Sequence, residues 1–113
     1  MMNRFNLSNM TLGWFIGNFT PSLHINDVVE VGVKRFLKGE IEPMHYQLTA
    51  TEWTCVIQGR VRIGENIFET NEIAEIPPLE SADFEALEDC VLVVVKSPSI
   101  PSDKINNMVL FQT

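Results

Sequence analysis

Turn-forming residues interrupt this chain too often to leave room for helices. Gly39, Gly59, Gly64, Asn71, the Pro77-Pro78 pair and Pro98 cut the region 28–98 into runs of strand length. Several of these runs carry the strand period. Val29, Val31 and Val33 alternate with Glu30, Gly32 and Lys34, the pattern of a half-buried strand. In the run from Glu52 to Gln58, Trp53, Cys55 and Ile57 share one face, and Glu52, Thr54 and Val56 share the other. A segment opening at Pro43 puts His45 and Gln47 on one face and turns Tyr46 to the opposite one. Arg60 to Ile63 and Asn66 to Glu69 flank Gly64-Glu65 as a hairpin. Ile73 to Ile76 runs into two prolines that no central strand contains.

The ends of the chain follow the same logic. Thr11 to Phe19 is aromatic-rich and closed by Pro21, which suits a first strand. Cys90 to Val95 is apolar without alternation and is expected to be buried on both faces, covered by the first strand, by a second subunit, or by both. After an acidic stretch and that run, residues 97–113 read as an irregular tail in which Met108 to Phe111 offers a last short strand. The expectation is an all-β chain with no internal repeat. Its 113 residues suffice for one core and not for two ordinary domains. The single domain then spans 1–113, with its central motifs in 28–98 and its first strand in 11–19.

Charge narrows the partners. Lys and Arg number 8 against 15 Asp and Glu, a net charge of −7, so a phosphate backbone is repelled and nucleic-acid binding is not expected. Lys34, Arg35 and Lys38 form a lone basic cluster, read as the solvated edge of a strand. No apolar run reaches the roughly 18 residues of a membrane span, and the first residues lack a signal-peptide pattern, so a cytoplasmic location without membrane contact is expected. Cys55 and Cys90 lie apart inside apolar runs and read as buried thiols of a reducing compartment rather than a disulfide.

The middle of the chain resembles the cupin family. The family's first motif, G-x5-H-x-H-x(3,4)-E-x6-G, is matched in spacing by Gly39, His45, Gln47, Glu52 and Gly59, with glutamine in place of the second histidine. The second motif, G-x5-P-x-G-x2-H-x3-N, keeps its rhythm from Asn71 through Pro77 to Ala82. Asn71 and Leu79 stand where glycines are usual, and Ala82 stands where the last histidine is usual. The resemblance implies a double-stranded β-helix, or jelly-roll barrel. It also implies a site projecting inward, where metal-binding members hold a divalent ion on three histidines and one glutamate.

Carried over residue by residue, the resemblance gives His45 and Glu52 as strong metal ligands, Gln47 as a weak one, and none at Ala82. Glu80 and Asp83 are the nearby carboxylates, but Asp83, adjacent to Ala82, points to the other face. A weakly bound divalent metal is the one cofactor this partial set suggests. Without metal, His45 is expected to hydrogen-bond Glu52 or Gln47. The pocket formed by His45, Gln47, Glu52 and Thr54 suits a small polar molecule, with sugar derivatives among the candidates, because an amide both donates and accepts.

Three functions compete. The first is a small-molecule-binding barrel with a degenerate metal site. The second is an isomerase, epimerase or oxygenase in which His45 and Glu52 are the catalytic residues, acting with a metal or as acid and base. The third is an interaction module with a vestigial pocket. Tyr46 and Trp53 are candidates for a subunit surface, a homodimer is the expected assembly, and His24 reads as an ordinary loop histidine.

Overall fold

A computed structural model describes residues 1–106. A single turn of 3₁₀ helix, Leu7–Asn9, precedes ten strands: β1 Trp14–Ile16, β2 Glu30–Phe36, β3 Ile41–Gln47, β4 Thr51–Gln58, β5 Val61–Ile63, β6 Asn66–Phe68, β7 Ile73–Ile76, β8 Ala82–Ala86, β9 Cys90–Ser97 and β10 Lys104–Asn106. They form two five-stranded sheets in the orders β1-β2-β9-β4-β7 and β10-β3-β8-β5-β6, and every pairing is antiparallel. The chain is an all-β jelly-roll barrel, as the turn rhythm and the motif spacing led one to expect.

The faces follow from the register. On β9 Cys90, Leu92 and Val94 are buried, while Val91, Val93 and Val95 are half-buried on the outer face. The run is therefore not buried on both faces as expected. It pairs with β2 and β4 on its two edges, and the outer face of this sheet has only partial cover. On β2 the alternation is present, but the valines are the outward set. Gly32 pairs with Val94, Lys34 with Leu92 and Phe36 with Cys90, so these three share the inward side.

Between the sheets, Val56, Val61, Ile63, Ala74, Phe84, Ala86, Cys90, Leu92 and Val94 form one apolar cluster. The Phe36 and Phe84 rings meet within it, centroids 4.7 Å apart. Cys90 is buried there and burial raises its thiol pKa, whereas Cys55 is half-buried on the outer face beside Trp53, contrary to the expectation of two buried thiols; both are free.

Three local features differ from the sequence reading. The acidic stretch holds β8, whose Phe84 and Ala86 are buried while Asp83 and Glu85 meet Arg62. β3 begins at Ile41, two residues before Pro43, and its register with β8 shifts between Glu42 and His45. A proline, which lacks the amide donor, fits such an irregularity. The tail contains β10, paired with β3 through Lys104 and Gln47, and Met108 to Phe111 lie outside the described residues.

The motif glycines have a conformational explanation. Gly59 has φ +92°, and a Cβ there would press on the Asp89 carbonyl. Asn71 and Leu79, which stand where the family has glycine, keep positive φ values of 76° and 71°. Both hold a left-handed backbone, the conformation that glycine adopts most readily. No helix among the described residues is long and apolar enough to cross a membrane.

Candidate functional site

One end of the barrel is filled by the core; the other encloses a cavity of about 330 Å³. β3 brings His45 and Gln47 to its wall, β4 brings Glu52 and Thr54, and β8 brings Ala82, so the five positions singled out in the sequence border one space. His45 lies directly across from Ala82 in the β3–β8 register. The alanine therefore stands where a histidine would face His45.

Each side chain has a specific environment. The His45 ring nitrogen Nδ1 lies 2.9 Å from the Pro43 carbonyl. A carbonyl only accepts, so Nδ1 carries the proton, and the ring is not held by Glu52 or Gln47 as expected. The irregular register at Pro43 and Met44 is what brings that carbonyl within reach. Glu52 accepts a hydrogen bond from the Thr54 hydroxyl at 2.8 Å. Gln47 is 4% exposed, and its Nε2 has no hydrogen-bond partner among the described residues. It also lines a second, smaller cavity of about 200 Å³ that shares Lys96 and Lys104 with the first.

The backbone around Gln47 is tightly fixed. Its carbonyl accepts from the Leu79 amide at 2.8 Å, tying β3 to the loop of the second motif. Asp103, 6% exposed, accepts from the Thr49 amide at 3.1 Å and from the Ala50 amide at 2.9 Å, and so organises the turn that leaves Gln47. Carboxylate acceptance of several backbone donors is among the stronger polar contacts a fold can make. The same carboxylate places β10, and with it Lys104, at the cavity rim.

The carboxylates beside Ala82 do not fill its place. Asp83 is gripped by Arg62 through two bonds of 2.9 and 3.1 Å, which holds its pKa below the usual aspartate value. Glu80 is exposed on the loop before β8. Glu42 pairs with Lys104 at 3.3 Å.

The sequence reading missed the lysines. Lys34, assigned there to a solvated edge with Arg35 and Lys38, is half-buried and borders the cavity, as does Lys96. Arg35 and Lys38 are exposed. The ammonium groups of Lys34 and Lys96 lie 5.4 and 5.1 Å from the centroid of the Trp14 ring. The period of two on β2 favours the valines as the inward set; the pairing of Lys34 with Leu92 and of Phe36 with Cys90 is what places Lys34 inward.

These residues do not fit a firmly held metal. Position 82 offers no donor, and Gln47 is at best a neutral one. Two lysines share the cavity with His45 and Glu52 and oppose a further cation. Among the described residues no group of three or more His, Cys, Asp or Glu side chains is gathered for metal binding.

No family model matches the sequence, and no curated protein matches it significantly. Solved structures do match in shape. An uncharacterised conserved protein with a double-stranded β-helix domain from Klebsiella pneumoniae superposes with a TM-score of 0.65 at 17% identity, covering 72% of this chain and 71% of that one. KdgF from Halomonas sp. gives 0.62 at 16% identity over 66% of this chain and 74% of its own. Oxalate decarboxylase from Bacillus subtilis gives 0.65 at 16% identity, covering 77% of this chain but only 26% of the larger enzyme. With its two antiparallel sheets, its motif spacing and these superpositions, the chain has the double-stranded β-helix fold of the cupins.

Proposed function

We propose that the open end of the barrel binds a small polar metabolite, and that it does so without a metal. The observation that carries this reading is the Nε2 of Gln47, buried at the cavity wall with no acceptor among the described residues. An unpaired buried donor costs about 1–3 kcal/mol, and a ligand oxygen placed against it removes that cost. Glu52 and Thr54 supply further polar partners, and sugar derivatives suit such a set.

Gln47→Leu provides the test. Without ligand the variant is expected to be as stable as the parent or more so, because the orphaned donor is gone. Against a panel of polar metabolites, including sugars and their derivatives, the parent is expected to show ligand-dependent rises in Tm that the variant loses. Undiminished shifts in Gln47→Leu, or none with the parent, would sink the reading.

The His45 tautomer favours a second reading, that of an acid-base enzyme. With the proton on Nδ1, the other ring nitrogen Nε2 is left as a base in a cavity that also holds Glu52. His45→Ala then abolishes turnover and spares binding, whereas a binding protein shows no turnover to lose.

For assembly we read a homodimer formed through the outer face of the first sheet. Val91, Val93 and Val95 lie there half-buried, and Ile57 and Ile73 are 49% and 61% exposed at its margin. A monomer mass from light scattering would refute it. Tyr46, offered earlier for that surface, borders the cavity instead. The two free cysteines support a cytoplasmic location.

A further inference from the structure

The inward positions of β2 and β9 carry apolar side chains at one end and lysines at the other. Phe36 is followed inward by Lys34 and Gly32, and Cys90, Leu92 and Val94 are followed by Lys96. Trp14 fills the space that Gly32 leaves: a Cβ at Gly32 would lie 2.7 Å from its ring. The ring thus lies against the sheet with both ammonium groups within 5.4 Å of its centroid. Lys104 adds a third ammonium at the rim; burial lowers the Lys34 pKa, the like charges of Lys104 and Lys96 add to that, and Glu42 and Glu52 oppose it.

This arrangement runs against the composition. The chain has 8 basic residues and a net charge of −7, yet three lysines border one cavity. Most of the acids around them are engaged: Asp83 with Arg62, Glu42 with Lys104 and Glu52 with Thr54. Lys34 donates to the Leu12 carbonyl at 3.0 Å, and neither Lys34 nor Lys96 has a carboxylate within ion-pair distance among the described residues. Glu30 and Glu52 stand across from Lys96 in the register, and Glu42 and Glu52 act on Lys34 from a distance, but none closes an ion pair with either lysine. Among the described residues, two ammonium groups and the buried amide nitrogen of Gln47 are therefore donors on one cavity without a direct anionic contact.

Resting on the reading of the cavity as a polar-ligand site, we propose that its ligand is a small organic anion, a carboxylate bearing hydroxyl groups. Lys34 and Lys96 take the carboxylate charge, and Gln47 donates to the ligand. Glu52, whose oxygens only accept, receives a ligand hydroxyl. The lysines thus supply from the protein itself the positive charge that a metal supplies in a barrel with a full ligand set. The aromatic ring between strand and cavity holds the ammonium groups by cation–π attraction while leaving their N–H bonds for the ligand.

Trp14 makes the test direct. The protein has two tryptophans, and Trp53→Phe on the outer face leaves Trp14 as the single tryptophan, excited at wavelengths that Tyr46 does not absorb. Iodide, an anionic quencher, is expected to quench Trp14 at least as well as neutral acrylamide, despite the negative net charge. Lys34→Met and Lys96→Met are each expected to lower iodide quenching about threefold, the attraction of one partly exposed charge, with acrylamide quenching unchanged. Lys34→Arg and Lys96→Arg restore it. Gluconate is expected to shield Trp14 from iodide where sorbitol, the same carbon frame without the carboxylate, does not.

Iodide quenching that ignores both Met variants overturns the anion site. If sorbitol shields as well as gluconate, the anion inference falls while the polar-ligand reading stands. That reading fails separately, by the Gln47→Leu test. Circular dichroism checks that each variant is folded, and either lysine alone suffices should the other variant not fold.

Discussion

The two ends of this barrel are built on the same strands and have opposite chemistry. On β4 the inward positions run from Val56, fully buried, through Thr54 to Glu52; on β9 they run from Cys90 and Leu92 to Lys96; on β8 from Ala86 and Phe84 to Ala82. One end is a continuous apolar cluster. The other holds charged groups and an unpaired amide around open space. The difference teaches where stability comes from. Inward positions at the closed end remove apolar area from water at about 25 cal/mol per Å², while those at the open end hold polar groups that folding alone does not satisfy.

The sharpest way to break this comparison is to cut each end and weigh the losses. Phe84 is 6% exposed and packs on Phe36. Phe84→Ala is expected to cost about 3–5 kcal/mol in urea unfolding, the range for emptying an aromatic site in a packed core. Lys96→Met at the other end is expected to leave stability nearly unchanged. Equal losses at both ends would mean that the open end is structural, and would favour an interaction module with a vestigial pocket.

A smaller effect sharpens the boundary between the ends. Arg62 on β5 holds Asp83 on the side of β8 opposite Phe84 and Ala86. Because Arg62 lowers the Asp83 pKa, the pair stabilises the fold above the ordinary aspartate value of 3.8 and loses its contribution as pH falls through the lowered folded-state value. Arg62→Met should therefore be less stable than the parent at neutral pH, with the gap closing in acid. Unfolding curves across that range check the sign. A gap that widens in acid would mean that Asp83 is not held as its carboxylate.

Much of the fold was legible because strands and turns write themselves locally. Gly64-Glu65 marked the β5–β6 hairpin, Pro77-Pro78 marked the end of β7, and the spacing from Gly39 to Gly59 brought His45, Gln47 and Glu52 to one wall. β8 was overlooked because two of its three inward residues are alanines, too small to give a hydrophobic signal against Asp83 and Glu85. The lysines were overlooked for another reason. A lysine at a strand end reads as solvated until the register between β2 and β9 shows that Lys34 and Lys96 extend the inward rows of Phe36 and Cys90. Asp103 is the extreme case: it acts on Thr49 and Ala50, 54 and 53 residues away in sequence. No local pattern encodes such a contact.

The smallest expected effect concerns what the open end tolerates. Leu79 sits at φ +71°, is 66% exposed, and uses its amide to hold the Gln47 carbonyl. A left-handed conformation costs a side-chain-bearing residue about 1–2 kcal/mol. Glycine escapes that cost but loses more freedom on folding, by about 0.5–1 kcal/mol. With little packing to lose at an exposed position, Leu79→Gly should gain stability by up to about 1 kcal/mol in urea unfolding. A gain would show that the open end carries backbone strain at Leu79. A loss would mean that the exposed leucine is covered in the working protein, by a second copy or by the ligand. Repeating the unfolding at several protein concentrations separates these, because only cover by a second copy makes the loss depend on concentration.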